Sequence, residues 1–329
     1  MEFDFFRAED APGIARLFLE VYGDGYPIKT YYVPERLIEE NASGSIISSV
    51  ARTADGEVIG HDALVRIDTN ELLYENAAGA VLPAFRGKGI FPRLFKHSIV
   101  DASKRFGVEG LVGEPVCSHV HLQKMCIQLG FKELGLEVDL MPPTADGMER
   151  NRSERISVLI GVFKHRPGVQ VVHIPPPYEA QLEYLYSGLD VERAFSFSEK
   201  VSPAEGVSRG SMGLFEKALV ARMSMEQIGS DFDAFLFRRE KEAREKGTVV
   251  FQCWLPLSSP FAPAAVNVLR ASGYFLGGML PCRPGGDGLL MQKVDRAPDW
   301  RGIALFTEHA RRIGEMIRRD WEDVTSLRL

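Results

Sequence analysis

Ala80-Val81-Leu82-Pro83-Ala84-Phe85-Arg86-Gly87-Lys88-Gly89-Ile90 is the stretch whose reading decides the fold. Extended residues run into a proline, and a glycine-rich turn follows. Behind it Phe95, Ile99, Ala102 and Phe106 recur at helical spacing until Gly107 ends the run. The pattern is strand, loop, helix. Glycines let a backbone turn with several N–H groups facing inward, and the helix adds the positive end of its dipole, so the unit forms a seat for phosphates. No acidic residue occurs from Asn76 to Val100, whereas Arg86, Lys88, Arg93, Lys96 and His97 all fall there. The plainer reading is a bare strand–helix turn with basic residues on a solvated face. The loop is not a Walker A sequence, and a Gly-x-Gly-x-x-Gly fingerprint fails at Pro92.

Outward from this loop the chain alternates strands and helices. Upstream, Phe3 to Phe6 reads as a strand, and Asp10 as the N-cap of a helix carrying Ile14, Leu17, Phe18 and Val21. A short helix from Pro34 to Glu40 follows, then strands over Ile46 to Arg52, Val58 to Ile67 and Leu72 to Leu82. Downstream, Gly110 to Val116 is a strand and His119 to Leu129 a helix closed by Gly130-Phe131. Strands over Glu133 to Leu140 and Ile156 to Phe163 follow. Arg166-Pro167-Gly168 marks a boundary. Beyond it the order starts again: helix to Gly247, strand, helix, Gly273-Tyr274, strand, and a last helix carrying Ala310, Ile313, Ile317 and Trp321. The repeated order predicts two domains, 1–165 and 166–329.

The chain has 329 residues, 45% of them hydrophobic, which is ample for a sizeable core and argues against long disordered tracts. Its net charge of −6 lacks the basic surplus of a nucleic-acid binder. Four cysteines make no disulfide framework. The acidic N-terminus Met-Glu-Phe-Asp is unlike a signal peptide, and no apolar run is long enough to span a membrane. The expectation is a cytoplasmic protein without nucleic-acid or membrane partners. Cys117-Ser118-His119-Val120-His121 has no second ligand pair nearby, so no metal site is expected.

The loop, the strand after Gly110 and the helix ending in Leu129-Gly130-Phe131 resemble the GNAT superfamily of acetyl-CoA-dependent N-acyltransferases. The resemblance covers residues 1 to about 165 in element order and is sharpest over 75–131. It implies an α/β fold whose mostly antiparallel sheet is flanked by helices, followed by a second GNAT-like domain. The family's pyrophosphate loop, Arg/Gln-x-x-Gly-x-Gly/Ala, is matched by Arg86, Gly87, Lys88, Gly89 and Ile90, while Phe91 stands at the last small position and narrows the space above the loop. Gly79, Ala80 and Val81 fall where the family's strand pairs with the pantetheine arm, in a V-shaped slot. His119 takes the place of an Asn that contacts the cofactor in many members, and Gln123 follows on the same helix.

Acyl transfer to an amine needs a base for the ammonium proton and an acid for the leaving thiolate. Some GNAT enzymes carry their base at the offset of Glu75, six residues before Val81. Strand alternation places i and i+6 on one face, toward the same cleft. An exposed strand-edge glutamate is the equal alternative, and Glu114 is the second choice for the base. Cys126 stands where many members have the Tyr that protonates the thiolate. It also lies on the apolar helix face, where a buried cysteine merely packs. Tyr22, Tyr26, Tyr31 and Tyr32 crowd a region that borders the acceptor site in this fold. In the second half, Asp231 and Asp233 lie where phosphate would sit, so that half is read as degenerate.

The expectation is therefore an N-acetyltransferase that takes acetyl-CoA as co-substrate and a small-molecule or peptide amine as acceptor. The rivals are a non-catalytic acyl-CoA-binding regulator and a duplicated-GNAT aminoacyl transferase using charged tRNA, and the acidic balance and the retained CoA loop argue against the latter.

Overall fold

The computed structural model describes residues 1–67, 73–143, 155–165, 169–197, 205–283 and 286–326. Two compact units emerge: residues 1–114 with 128–130, and 115–127 with 131–329.

The first unit runs β1 (Glu2–Phe5), α1 (Ala11–Tyr22), α2 (Pro34–Ala42), β2 (Ile46–Arg52), β3 (Val58–Arg66), β4 (Leu73–Val81), α3 (Ile90–Lys96), α4 (Ser103–Arg105) and β5 (Gly110–Gly113). Its strands lie in the order β1-β2-β3-β4-β5, antiparallel except for the parallel pair β4/β5. The amphipathic face of α1 buries Ile14, Leu17 and Phe18, and α3 buries Ile90, Leu94 and Phe95. Between α3 and α4 the helix widens into a π segment, His97–Ala102. Asp10 precedes α1 as expected, but its carboxylate does not cap that helix; it closes the 3-10 turn Ala8–Asp10 just before it. It accepts from Arg7 N (2.6 Å) and from Arg52 Nε (2.7 Å), and forms a buried ion pair with Arg52. A buried guanidinium left without a carboxylate would be costly, which favours this pairing.

In the second unit come α5 (His121–Leu129, whose last two residues group with the first unit), β6 (Lys132–Met141), β7 (Ile156–Lys164), β8 (Gln170–His173), α6 (Glu179–Ser187), β9 (Arg193–Ser196), β10 (Arg209–Phe215) and β11 (Val220–Gln227). After them come α7 (Phe232–Glu245), β12 (Val250–Pro256), α8 (Ala262–Ala271), β13 (Phe275–Arg283), β14 (Gly286–Val294) and α9 (Glu308–Ser326). Strand order is β7-β6-β13-β14-β12-β11-β10, with β8 and β9 paired separately. The strand β9 has no counterpart in the sequence reading. Arg166-Pro167-Gly168 lies outside the described residues.

The compact units do not follow the division expected at 165. β6 is fastened to β13 through Gly135 and Gly278, and α9 packs on both strands, so residues 131–165 belong with the C-terminal elements. Each glycine is required there. A Cβ on Gly135 would lie 2.5 Å from the Gly277 carbonyl oxygen, and one on Gly278 would lie 2.4 Å from Gly135 Cα.

The repeated element order is visible strand by strand. β4 leads through α3 to β5, which runs parallel to it, and then come α5, β6 and β7. β11 leads through α7 to β12, again parallel to it, and then come α8, β13 and β14.

Candidate active site

The site is built where β4 changes partners. Its parallel pairing with β5 runs from Leu73↔Gly110 to Asn76↔Gly113 and stops there. Beyond Asn76 the strand continues to Val81, paired among the described residues on its β3 side. The end of pairing leaves the β5-facing edge of Ala77 to Val81 without a strand partner among the described residues.

At the same point β4 bulges. His61 pairs with Ala80 and Ala63 with Ala77, so Ala78 and Gly79 together oppose the single residue Asp62. Ala78 adopts φ +59°, unusual for a residue with a side chain. The bulge overturns the alternation argument for Glu75. Directly opposed residues of an antiparallel pair share a face. Glu75 opposes Val65 and Val81 opposes Gly60, so the extra residue puts Glu75 and Val81 on opposite faces.

Glu75 is half-buried. Its face is that of His61, whose ring meets Phe18 of α1 at 5.5 Å. Tyr26 and Tyr31 pack there: Tyr31 stacks on Phe18 at 4.6 Å, and Tyr26 meets both edge-on. Burial pushes both phenols up, and the charge of Glu75 adds to the rise. Tyr22 donates to the Gly79 carbonyl (3.2 Å), and Tyr32 accepts from Tyr26 N (2.9 Å). The expected tyrosine cluster is therefore a packed wall that reaches the bulge through one hydroxyl.

Phe91 does not stand over the loop. A Cβ on Gly79 would lie 2.5 Å from the Phe91 ring and 3.0 Å from Asp62 Oδ1. The ring occupies room that residue 79 leaves empty, which is how the loop tolerates a large side chain in place of a small one.

The loop turns twice through left-handed backbone. Gly87 and Gly89 adopt φ +74° and +73°, a region glycine enters without strain. A Cβ added to either would meet no atom within 4 Å, so the space beside the loop is open. The first N–H groups of α3 have no acceptor inside the helix. Arg86 Nε donates back to the Val81 carbonyl (3.1 Å), joining loop to strand. Lys88 Nζ donates to the Ala84 carbonyl (3.1 Å) and lies over the Phe85 ring.

Asp62, Asn76 and His61 were not singled out from the sequence. Asp62 is fully buried and accepts from Asn76 Nδ2 (2.7 Å). Desolvation raises its carboxyl to about 7, against the pull of the Ser98 and Asn76 side chains. His61 is equally buried and lowered to about 4 by desolvation. The available signal was a His-Asp pair inside the apolar run Val58 to Leu64.

His119, Gln123 and Cys126 belong to the second unit. Gln123 Nε2 donates to the carbonyls of Val116 (3.1 Å), His119 (3.2 Å) and Ala304 (2.9 Å), and Oε1 accepts from Phe306 N (3.0 Å). The buried amide straps the segment before α9 to the turn before α5. Its polar atoms are engaged in the fold, so the expected cofactor contact is replaced by a structural role. His119 Nδ1 accepts from His121 N (3.3 Å). Cys126 is buried, 4% exposed. Among the described residues no cluster of three or more His, Cys, Asp or Glu could hold a metal, and no helix is long and apolar enough to cross a membrane.

The corresponding loop of the second half is closed by its own side chains. Asp231 Oδ1 accepts from Ser208 N (2.6 Å), which with the Ser208 hydroxyl holds the carboxyl below its usual range. Gly229 N donates to Ser208 Oγ (3.0 Å). Where the β11/β12 pairing ends, at Ser224↔Trp254, Arg283 covers the Trp254 ring at 4.3 Å and donates to Ser224 Oγ (3.0 Å).

No known protein-family profile matches the chain, and no curated protein matches it. Solved structures do. An N-acetyltransferase from Staphylococcus aureus Mu50 is 19% identical, with TM-score 0.38 over 50% of this chain and 97% of that one. yncA from Salmonella typhimurium, solved with its cofactor acetyl-CoA, is 16% identical, with TM-score 0.39 over 50% and 93%. A ribosomal-protein-alanine N-acetyltransferase from Brucella melitensis is 16% identical, with TM-score 0.39 over 49% and 98%. The solved structures this chain is similar to include N-acetyltransferases, each covering about half of it.

Proposed function

We propose that this protein is a GNAT-type N-acetyltransferase that moves an acetyl group from acetyl-CoA to an amine by direct attack. One observation carries the reading. The β4/β5 pairing ends at Asn76, β4 bulges two residues later, and the strand then runs into the left-handed Gly87 and Gly89 turn that opens α3. Slot, bulge and anion seat succeed one another along a single strand–loop–helix unit. The open space at Gly87 and Gly89 fits a pyrophosphate held by N–H groups of Gly87 to Phe91, with Arg86 and Lys88 supplying positive charge. The unpaired edge of Gly79, Ala80 and Val81 offers backbone groups to the pantetheine arm.

Bound acetyl-CoA supplies an activated acyl carbonyl and a thiolate leaving group. In this reading Glu75, on the tyrosine-lined face, accepts the proton of the attacking amine, and Glu114 stands second. The leaving thiolate takes its proton from water. We infer that catalysis belongs to residues 1–165 and that 166–329 is a degenerate copy. The bonds of Ser208 to Asp231 and of Arg283 to Ser224 support that reading.

Calorimetry with acetyl-CoA tests the site, and thiol release with a panel of amines tests the reaction. One molecule is expected to bind per chain. Gly89→Asp, which brings a side chain and a negative charge into the seat, is expected to lose at least ~2 kcal/mol of affinity. Unchanged affinity in the folded variant would remove the loop from the site. Binding without thiol release for any amine would favour the non-catalytic acyl-CoA binder.

A further inference from the structure

The two carbonyls of the β4 bulge are both held from the α1 side. His61 Nδ1 lies 2.9 Å from the Ala78 carbonyl oxygen, and the Tyr22 hydroxyl donates to the Gly79 carbonyl at 3.2 Å. A carbonyl can only accept, so Nδ1 carries the proton, and Nε2 accepts from Ser48 Oγ at 3.0 Å. The ring cannot swing away, because Phe18 and Tyr31 meet it edge-on at 5.5 Å each. Burial keeps it neutral down to about pH 4, so this hydrogen-bonding pattern holds through the neutral range. His61 thus connects β2, β3 and β4 at the one residue of β4 with a strained, left-handed backbone.

We propose that His61 and Tyr22 are positioning residues that clamp the Ala78 and Gly79 carbonyls, so that the Gly79 N–H stays aimed away from His61 as a donor to the acyl carbonyl oxygen of the thioester. In a trans peptide the N–H points opposite to the C=O of the preceding residue, and the structure contains no cis peptide among the described residues. Anchoring Ala78 O to a side chain of β3 therefore turns the Gly79 N–H away from that side chain. Anchoring Gly79 O to Tyr22 fixes the next peptide plane and stops the bulge from relaxing. A donor held in place before the reaction needs no reorganisation as charge grows on the carbonyl oxygen. The inference rests on the acetyltransferase reading of the slot, and it assigns roles to two residues that touch no substrate.

The test needs no knowledge of the acceptor. Acetyl-CoA labelled with ¹³C at the acyl carbonyl is bound to the full chain, and the carbonyl stretch is read by difference infrared spectroscopy. CoA itself, which lacks that carbonyl, reports on the rest of the site by calorimetry. In the wild type the band is expected to move to lower wavenumber than in free acetyl-CoA. His61→Asn, whose amide nitrogen can take the place of Nδ1, should keep the shift. His61→Leu and Tyr22→Phe should move the band back toward the free value while CoA affinity holds. The preference for acetyl-CoA over CoA should fall roughly threefold to tenfold in both. Tyr22→Phe removes one hydroxyl and carries the test alone if His61→Leu does not fold. A wild-type band position in a variant that binds CoA normally would overturn the clamp and leave the acetyltransferase reading standing. Failure of the wild type to bind CoA would overturn both.

Discussion

At the scale of residues, neighbours on β3 titrate in opposite senses. The Asp62 carboxyl, raised to about 7, keeps its proton in the folded chain where the unfolded chain has lost it. Its contribution to stability therefore falls as pH rises from about 4 to 7, by up to roughly 4 kcal/mol. The His61 imidazole, lowered to about 4, stays neutral where the unfolded chain is protonated. Its contribution falls as pH drops from about 6.5 to 4, by roughly 3 kcal/mol. Between pH 4 and 6.5 the two slopes oppose each other. Denaturant unfolding of Asp62→Asn should show stability rising with pH across that window, and His61→Asn should show it falling. Parallel slopes in the two variants would mean that these groups do not titrate as their burial implies. Glu75 poses the catalytic question at the same scale. As the base, Glu75→Gln should lower turnover on the order of 10²–10⁴-fold with CoA affinity nearly constant, and the rate should lose its acidic limb. Full turnover in a folded variant would pass the role to Glu114 or to water.

Among the elements, the junction of β4 with α3 shows how a departure from a motif is absorbed. Phe91 replaces a small residue at the start of the helix, and Gly79 vacates the room that the ring takes. Gly79→Ala should cost about 1–3 kcal/mol in thermal or denaturant unfolding, because the new methyl group overlaps the ring. The same change in a Phe91→Ala background should cost much less. A double-mutant cycle with no coupling would separate the two positions. The bulge beside them shows where pattern reading ends. Strand alternation assigns Glu75 and Val81 to one face, whereas the extra residue at Ala78-Gly79 moves them apart. Nothing in Ala77-Ala78-Gly79-Ala80 announces that shift, since all four residues are small and fit either register.

For the molecule as a whole, the β6–β13 contact decides which residues fold together. Gly135→Val would drive a side chain into the Gly277 carbonyl and the Gly278 backbone, which cannot rotate away as a side chain can. The melting temperature should fall by several degrees. Gly188→Ala, where a Cβ would meet only the Leu185 carbonyl oxygen at 3.9 Å, should leave it unchanged. Equal effects of the two would mean that the close approach of β6 and β13 does not contribute to stability.

Most strands and helices, the glycine turn between β4 and α3 and the repeated element order were legible in the chain. These depend on local signals: periodicity, proline and glycine punctuation, and charge along a short window. Tertiary structure alone decided the rest. Whether Asp10 caps a helix or pairs with Arg52 depends on a partner 42 residues away. Whether Gln123 meets a cofactor or straps Ala304 and Phe306 depends on one 181 residues away. The register of β4 on β3, and the burial that makes His61 neutral and Asp62 a weak acid, exist only once the sheet is assembled. Burial and hydrogen-bond competition are properties of what surrounds a residue, and a linear spacing does not carry them.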